Sequence, residues 1–123
     1  MQFALPKILR EVPDSHFENM KVKLAASSQA AFDRLSSVRG VTPIRSSAAM
    51  YMMVRIEFQE FDGIENDVQF CKMLLHEQNC LTFPSQCFFE NGFFRMIICT
   101  TPETINQFGD RLQEFCNAHY RQN

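Results

Sequence analysis

Tryptophan is absent from these 123 residues, glycine is scarce at four, and lysine occurs only at positions 7, 21, 23 and 72. Four scattered glycines cannot build a phosphate-cradling loop, which needs several close together so that backbone amides can crowd an anion. A basic cluster is missing too: the net charge is −2, the pI is near 5.9, and Lys21 with Lys23 is the densest lysine pair. Counterion-release binding needs many clustered cations, so nucleic acid is excluded as a partner. The longest apolar run, Ala48 to Val54, falls far short of the ~20 residues of a membrane helix. Lys7, Arg10 and Glu11 interrupt any apolar leader. The expectation is a cytoplasmic chain with neither membrane nor nucleic-acid partners.

The five cysteines (Cys71, Cys80, Cys87, Cys99 and Cys116) contain no C-x-x-C pair. Cys71, His76 and Cys80 offer three ligands where structural zinc takes four in paired spacing, so no metal is expected. The thiols read as reduced small hydrophobes. Phenylalanine is what the chain has in excess, thirteen against two tyrosines. Phe has no polar handle, so this count points to core packing more than to surface recognition. A chain of this length makes one domain that buries roughly two-thirds of its unfolded surface.

Periodicity and punctuation predict the elements. Pro6 to Val12 is a short helix stopped by Pro13. Ser15 and Glu18 fit a capping box that opens a long helix to about Val38, closed by Gly40. Val41 to Ile44 is a short extended piece. Ala49 to Phe58 alternates as a strand, with Tyr51, Met53, Arg55 and Glu57 on one face and Met52, Val54 and Ile56 on the other. Asn66 caps a second helix with Gln69 as its reciprocal partner, and Phe70, Cys71, Leu74 and Leu75 form its stripe. Leu81 to Phe83 and Phe93 to Thr100 are strands. Thr101-Pro102-Glu103 opens the last helix, with Ile105, Phe108, Leu112, Phe115 and Cys116 as its apolar face. This order places the chain in the α/β class, with a small mixed sheet covered by helices.

One residue stands out against that pattern. Arg95 interrupts Phe93-Phe94-Arg95-Met96-Ile97-Ile98-Cys99, an otherwise buried strand. A guanidinium stays charged at any workable pH and is costly to bury without an anion. No acid lies in the run, and Glu90 sits beyond the Asn91-Gly92 turn signal. Either a carboxylate from elsewhere in the chain meets Arg95, or a carboxylate arrives as ligand. The other candidates are weaker. His16, His76 and His119 fall on three different helices with no neighbouring nucleophile, Tyr51 reads as half-buried packing, and Asp62 with Glu65 reads as loop solubility.

Several stretches, in order and without large gaps, resemble the C-terminal part of the tyrosine aminotransferases, a family of class I pyridoxal-phosphate enzymes. They are Ala49-Met50-Tyr51-Met52-Met53, Glu65-Asn66-Asp67-Val68-Gln69-Phe70, Pro84-Ser85-Gln86-Cys87-Phe88 and Phe93-Phe94-Arg95. Gln2, Ala4-Leu5-Pro6 and Ile8-Leu9 at one end, and Glu114 to Tyr120 at the other, extend the likeness to nearly the whole chain. The resemblance implies the small domain of a fold-type I transferase, with residues 14–123 forming it and residues 1–13 joining a larger domain. It also implies that Arg95 binds the α-carboxylate of an aromatic L-amino acid whose amino group passes to a 2-oxo acid through pyridoxal phosphate. The full enzyme would be a homodimer of amino acid metabolism, and the isolated piece could self-associate.

The Schiff-base lysine, the acid facing the pyridine nitrogen and most phosphate ligands are implied to lie in the larger domain. None of the four lysines has the Ser-x-x-Lys setting. No catalytic or cofactor-binding residue is therefore assigned here, and the chain alone is expected neither to bind pyridoxal phosphate stably nor to transaminate. Two stretches depart from the family pattern. Ser46-Ser47-Ala48-Ala49-Met50-Tyr51 stands where Pro-x-Gly-Ala-Met-Tyr is usual, so Ala48 would be strained if that glycine served a positive φ. Phe83-Pro84-Ser85 replaces Leu-Pro-Gly or Leu-Pro-Ala. A non-catalytic α/β interaction module that kept the fold and lost the chemistry is the other reading.

Overall fold

A computed structural model describes residues 3–122; Met1, Gln2 and Asn123 lie outside the described residues, and with Gln2 one position of the family likeness. The elements run α1 (Leu5–Glu11), α2 (Asp14–Leu35), β1 (Val41–Pro43), β2 (Tyr51–Ile56), α3 (Asp67–Gln78), β3 (Phe83–Pro84), β4 (Phe93–Ile97) and α4 (Pro102–His119). Short 3-10 turns occupy Phe58–Glu60 and Ser85–Phe88. The α/β fold with its small helix-covered sheet is as expected, but the sheet is not mixed. Its order is β1-β2-β4-β3 and every pairing is antiparallel. The helix α3 leads into β3 on the far side of β4, and β4 returns between β3 and β2. No parallel neighbours are created.

The alternation along β2 holds. Met52, Val54 and Ile56 are buried, and with Phe94 and Met96 of β4 they make the helix-facing side of the sheet. Against them pack Ala31 and Leu35 of α2, Phe70, Cys71 and Leu74 of α3, and Ile105, Leu112, Phe115 and Cys116 of α4. The abundant phenylalanines knit this core. Phe70 stacks on Phe94 at 5.6 Å and meets Phe115 and Phe61 edge-on at 5.2 and 5.7 Å, geometries that add to simple burial. The other face of the sheet, carrying Tyr51, Met53, Arg55, Phe93, Arg95 and Ile97, is left open or half-open. None of the residues of α1 is buried. No described helix is long and apolar enough to cross a membrane.

Several local signals land differently from expectation. Ser15 does not cap α2; Pro13, extended at φ −68°, ψ 148°, holds the N-cap place and its carbonyl accepts the His16 amide. Asp14 takes the dipole-facing first turn, and Glu18 pairs instead with Lys21 at 2.7 Å. The helix α2 stops at Leu35, short of Val38, and Gly40 serves the turn into β1 at φ +77°. A Cβ there would lie 2.3 Å from the Phe61 ring, so glycine is required twice over. Asn66 caps α3 as expected, accepting the Gln69 amide at 2.9 Å, but the Gln69 side chain returns to the Glu65 amide rather than to Asn66 itself. Leu75 is exposed. The left-handed residue in the Ser46–Met50 turn is Ala49 at φ +67°, not Ala48.

Among the described residues no group of three or more His, Cys, Asp or Glu is placed to hold a metal. Cys71 and Cys80 are buried while His76 faces solvent, so the trio does not converge. Burial raises the Cys71 thiol to about 11 and the Cys116 thiol to about 12. Cys87 and Cys99 are exposed, and the small-hydrophobe reading does not extend to them. Thiolate is the reacting form. Iodoacetamide at pH 8, followed by mass mapping, is therefore expected to modify Cys87 and Cys99 in the folded chain and spare Cys71 and Cys116 until denaturant is added. Gly40→Ala is expected to cost about 2 kcal/mol or more, from positive φ plus overpacking against Phe61. An unchanged urea midpoint would contradict that assignment.

Candidate functional site

Register builds the surroundings of Arg95. Residues paired across an antiparallel ladder point to the same face. Arg95 is paired with Met53 on one side and Phe83 on the other, and Tyr51, paired with Ile97, stands diagonally across. The turn Ser85–Phe88 that follows β3 folds back over the same face and delivers Phe88. The Arg95 guanidinium carbon lies 4.2 Å from the Phe88 ring centroid, 4.8 Å from that of Tyr51 and 5.6 Å from that of Phe83. All three rings are themselves partly exposed, at 41–44%, so the cage opens outward.

The ion pairs among the described residues leave Arg95 out. Carboxylates pair with Lys7, Lys21, Arg34, Arg55, His119 and Arg121. Of the two partners open to Arg95, a carboxylate of the chain itself is not found among the described residues. Cation–π attraction holds a guanidinium against ring faces, yet a ring face supplies no oxygen acceptor for its five N–H donors, and none of these donors makes a hydrogen bond among the described residues. A planar, half-buried fork held this way is suited to one incoming carboxylate, gripped bidentately. An apolar groove of about 250 Å³ continues from it between Leu81, Ile97 and Phe108, with Thr100 and Thr104 on its wall.

Beneath the cage lies a carboxylate that the sequence did not single out beyond its place after the Asn66 cap. Asp67 is wholly buried at 0% exposure. Its oxygens accept from the Ser85 hydroxyl at 2.9 Å, the Gln86 amide at 2.9 Å, the Gln86 side chain at 2.6 Å and the Val68 amide at 3.1 Å. The Ser85 oxygen in turn accepts the Phe93 amide at 3.1 Å. A Ser-Gln pair after a proline gives no sequence signal for such a bond. Only the folding of α3 against the turn reveals it.

The remaining candidates stand apart from Arg95. His16 lies edge-on to Phe17 on α2, His76 is exposed on α3, and His119 on α4 meets Glu77 at 2.7 Å. Asp62 binds Arg121, and Glu65 lies exposed in the loop before α3. Tyr51, expected as packing, is part of the cage. Lys7, Lys21, Lys23 and Lys72 are all exposed on helices, and Arg95 lies among rings and apolar side chains. The described residues thus offer pyridoxal phosphate neither a lysine beside the Arg95 guanidinium nor a glycine cradle for its phosphate. They do not fit the cofactor.

Comparison with known proteins places this chain in a family. Residues 1–112 match aminotransferase class I and II. The chain is 38% identical over 121 residues to tyrosine aminotransferase of Mus musculus and 37% identical to that of Homo sapiens, covering 98% of this chain and 26% of each relative. It thus spans about a quarter of the length of these relatives. The crystal structure of tyrosine aminotransferase from Leishmania infantum superposes with a TM-score of 0.87 at 25% identity, over 96% of this chain and 29% of that one. An alanine aminotransferase from Pyrococcus furiosus shares the fold at a TM-score of 0.82 and 22% identity, over 91% and 28% of the two chains. An α/β domain with a half-buried arginine fork on its open sheet face, matched along nearly its whole length, belongs to the class I and II aminotransferases.

Proposed function

We propose that this chain is the small-domain portion of an aromatic amino acid aminotransferase and supplies the grip on the substrate α-carboxylate through Arg95. The observation that carries the reading is a guanidinium caged by Tyr51, Phe83 and Phe88 with no ion-pair partner among the described residues. A carboxylate arriving there finds two parallel N–H donors, and its anchoring fixes the α-carbon relative to whatever faces the sheet. Residues 14–123 form the small domain in this reading, and residues 1–13, whose helix α1 buries none of its residues, lead to the larger one. The names of the relatives favour tyrosine as substrate class. Pyridoxal phosphate, when bound in the full enzyme, supplies the electron sink for amino transfer; its seat belongs to the larger domain, as does the contact that makes the enzyme a dimer. The chain alone is inactive.

The open sheet face and α1 are then surfaces built to be covered. Alone, the chain is expected to self-associate or to bind an apolar dye such as anilinonaphthalene sulfonate, because Phe3, Leu9, Leu81, Phe89 and Ile97 are all more than half exposed. A monodisperse, dye-silent monomer by scattering and fluorescence would count against this. In the full-length enzyme carrying this segment, Arg95→Lys is expected to lower kcat/KM roughly 10- to 100-fold, the loss of about 1.5–3 kcal/mol of charge-assisted hydrogen bonding. Unchanged kinetics would remove Arg95 from the site and favour the non-catalytic module.

A further inference from the structure

We infer that Asp67 is the positioning residue of the Arg95 cage: its buried carboxylate sets where the guanidinium points, although it never touches it. This rests on the reading of Arg95 as the carboxylate grip. Asp67 opens α3 and is fully buried, where a carboxylate is tolerated only when its lone pairs are filled. Most of them are filled from one place. Ser85 and Gln86 give three of its four hydrogen bonds, so the carboxylate clamps the start of the 3-10 turn whose fourth residue is Phe88. The end of that turn is closed by the Phe89 and Glu90 amides on Gln86 and Ser85 carbonyls. Phe88 therefore has little freedom to leave the guanidinium it covers at 4.2 Å.

The same carboxylate reaches the arginine strand by a second route. The Ser85 hydroxyl donates to Asp67 and its oxygen accepts from the Phe93 amide, two residues before Arg95 on β4. Two residues before Ser85 on the other side stands Phe83, paired directly with Arg95. One buried acid thus ties β3, the turn and β4 together at the point where each contributes to the cage. Of the four polar residues buried among the described ones, Ser27 bonds Thr100 elsewhere, Thr82 beside Phe83 makes no hydrogen bond, and Asp67 and Ser85 bond each other, so the buried hydrogen bonds at this junction centre on the acid. A carboxylate at the first turn of α3 also sits favourably against the helix dipole, which helps to keep it where the turn needs it.

The test follows the Arg95 guanidinium by NMR in the folded 123-residue chain, because a proton held over aromatic faces resonates upfield of one in water. Asp67→Asn, which keeps the shape and removes the charge, is expected to lose most of that upfield displacement, and Ser85→Ala part of it. Leu35→Ala, a core variant on α2 chosen for a comparable fall in Tm, is expected to keep it, which separates positioning from general loosening. Retention of the displacement in a folded Asp67→Asn would overturn the proposal. If that variant does not fold, retention in Ser85→Ala overturns it instead. Failure of the carboxylate reading is seen elsewhere, as unaffected kinetics of Arg95→Lys, and leaves this shift where it is.

Discussion

A guanidinium that meets no carboxylate among the described residues organises the open side of this domain. Arg95 must keep its charge, must sit in a strand whose neighbours on either side are buried, and finds among the described residues only ring faces. Each ring contact contributes about 0.5–1 kcal/mol where it is exposed and up to about 2 where it is dry. That is enough to fix an orientation, but it leaves the N–H donors unspent. The antiparallel register supplies Tyr51 and Phe83, and the short turn after β3 supplies Phe88. What results is a fork held open toward whatever covers the sheet.

The rest of the molecule can be read as the support for that fork. Helices α2, α3 and α4 bury one face of the sheet against a phenylalanine-rich core, which leaves the second face free. The core packs against β4, and the hydrogen bonds of Asp67 tie down the turn beside it. The result is a packed scaffold with one sheet face left open.

Much of this was legible in the sequence because it is local. Alternation in β2, the Asn66 and Thr101 caps, Pro102 at the first turn of α4 and the anomaly of Arg95 itself are all patterns over a few residues. What escaped is set by tertiary pairing. The sheet's all-antiparallel order depends on where α3 delivers β3. The cage needs the register that puts Phe83 and Met53 beside Arg95, and Asp67 needs a turn eighteen residues away. The Ser15 cap misled because Pro13 had already started the helix. Ala48 misled because the left-handed position falls one residue later, at Ala49.

In the proposed reading an aminotransferase site divides into a carboxylate grip at Arg95 and a cofactor seat, for which the described residues give neither a lysine beside Arg95 nor a phosphate cradle. Titration of the purified chain with pyridoxal phosphate, followed by borohydride reduction and peptide mass mapping, tests that division most directly. It predicts scattered, sub-stoichiometric labelling of the exposed lysines with no saturable site. A single stoichiometric adduct at one of Lys7, Lys21, Lys23 or Lys72 would contradict it and place the cofactor seat within these residues.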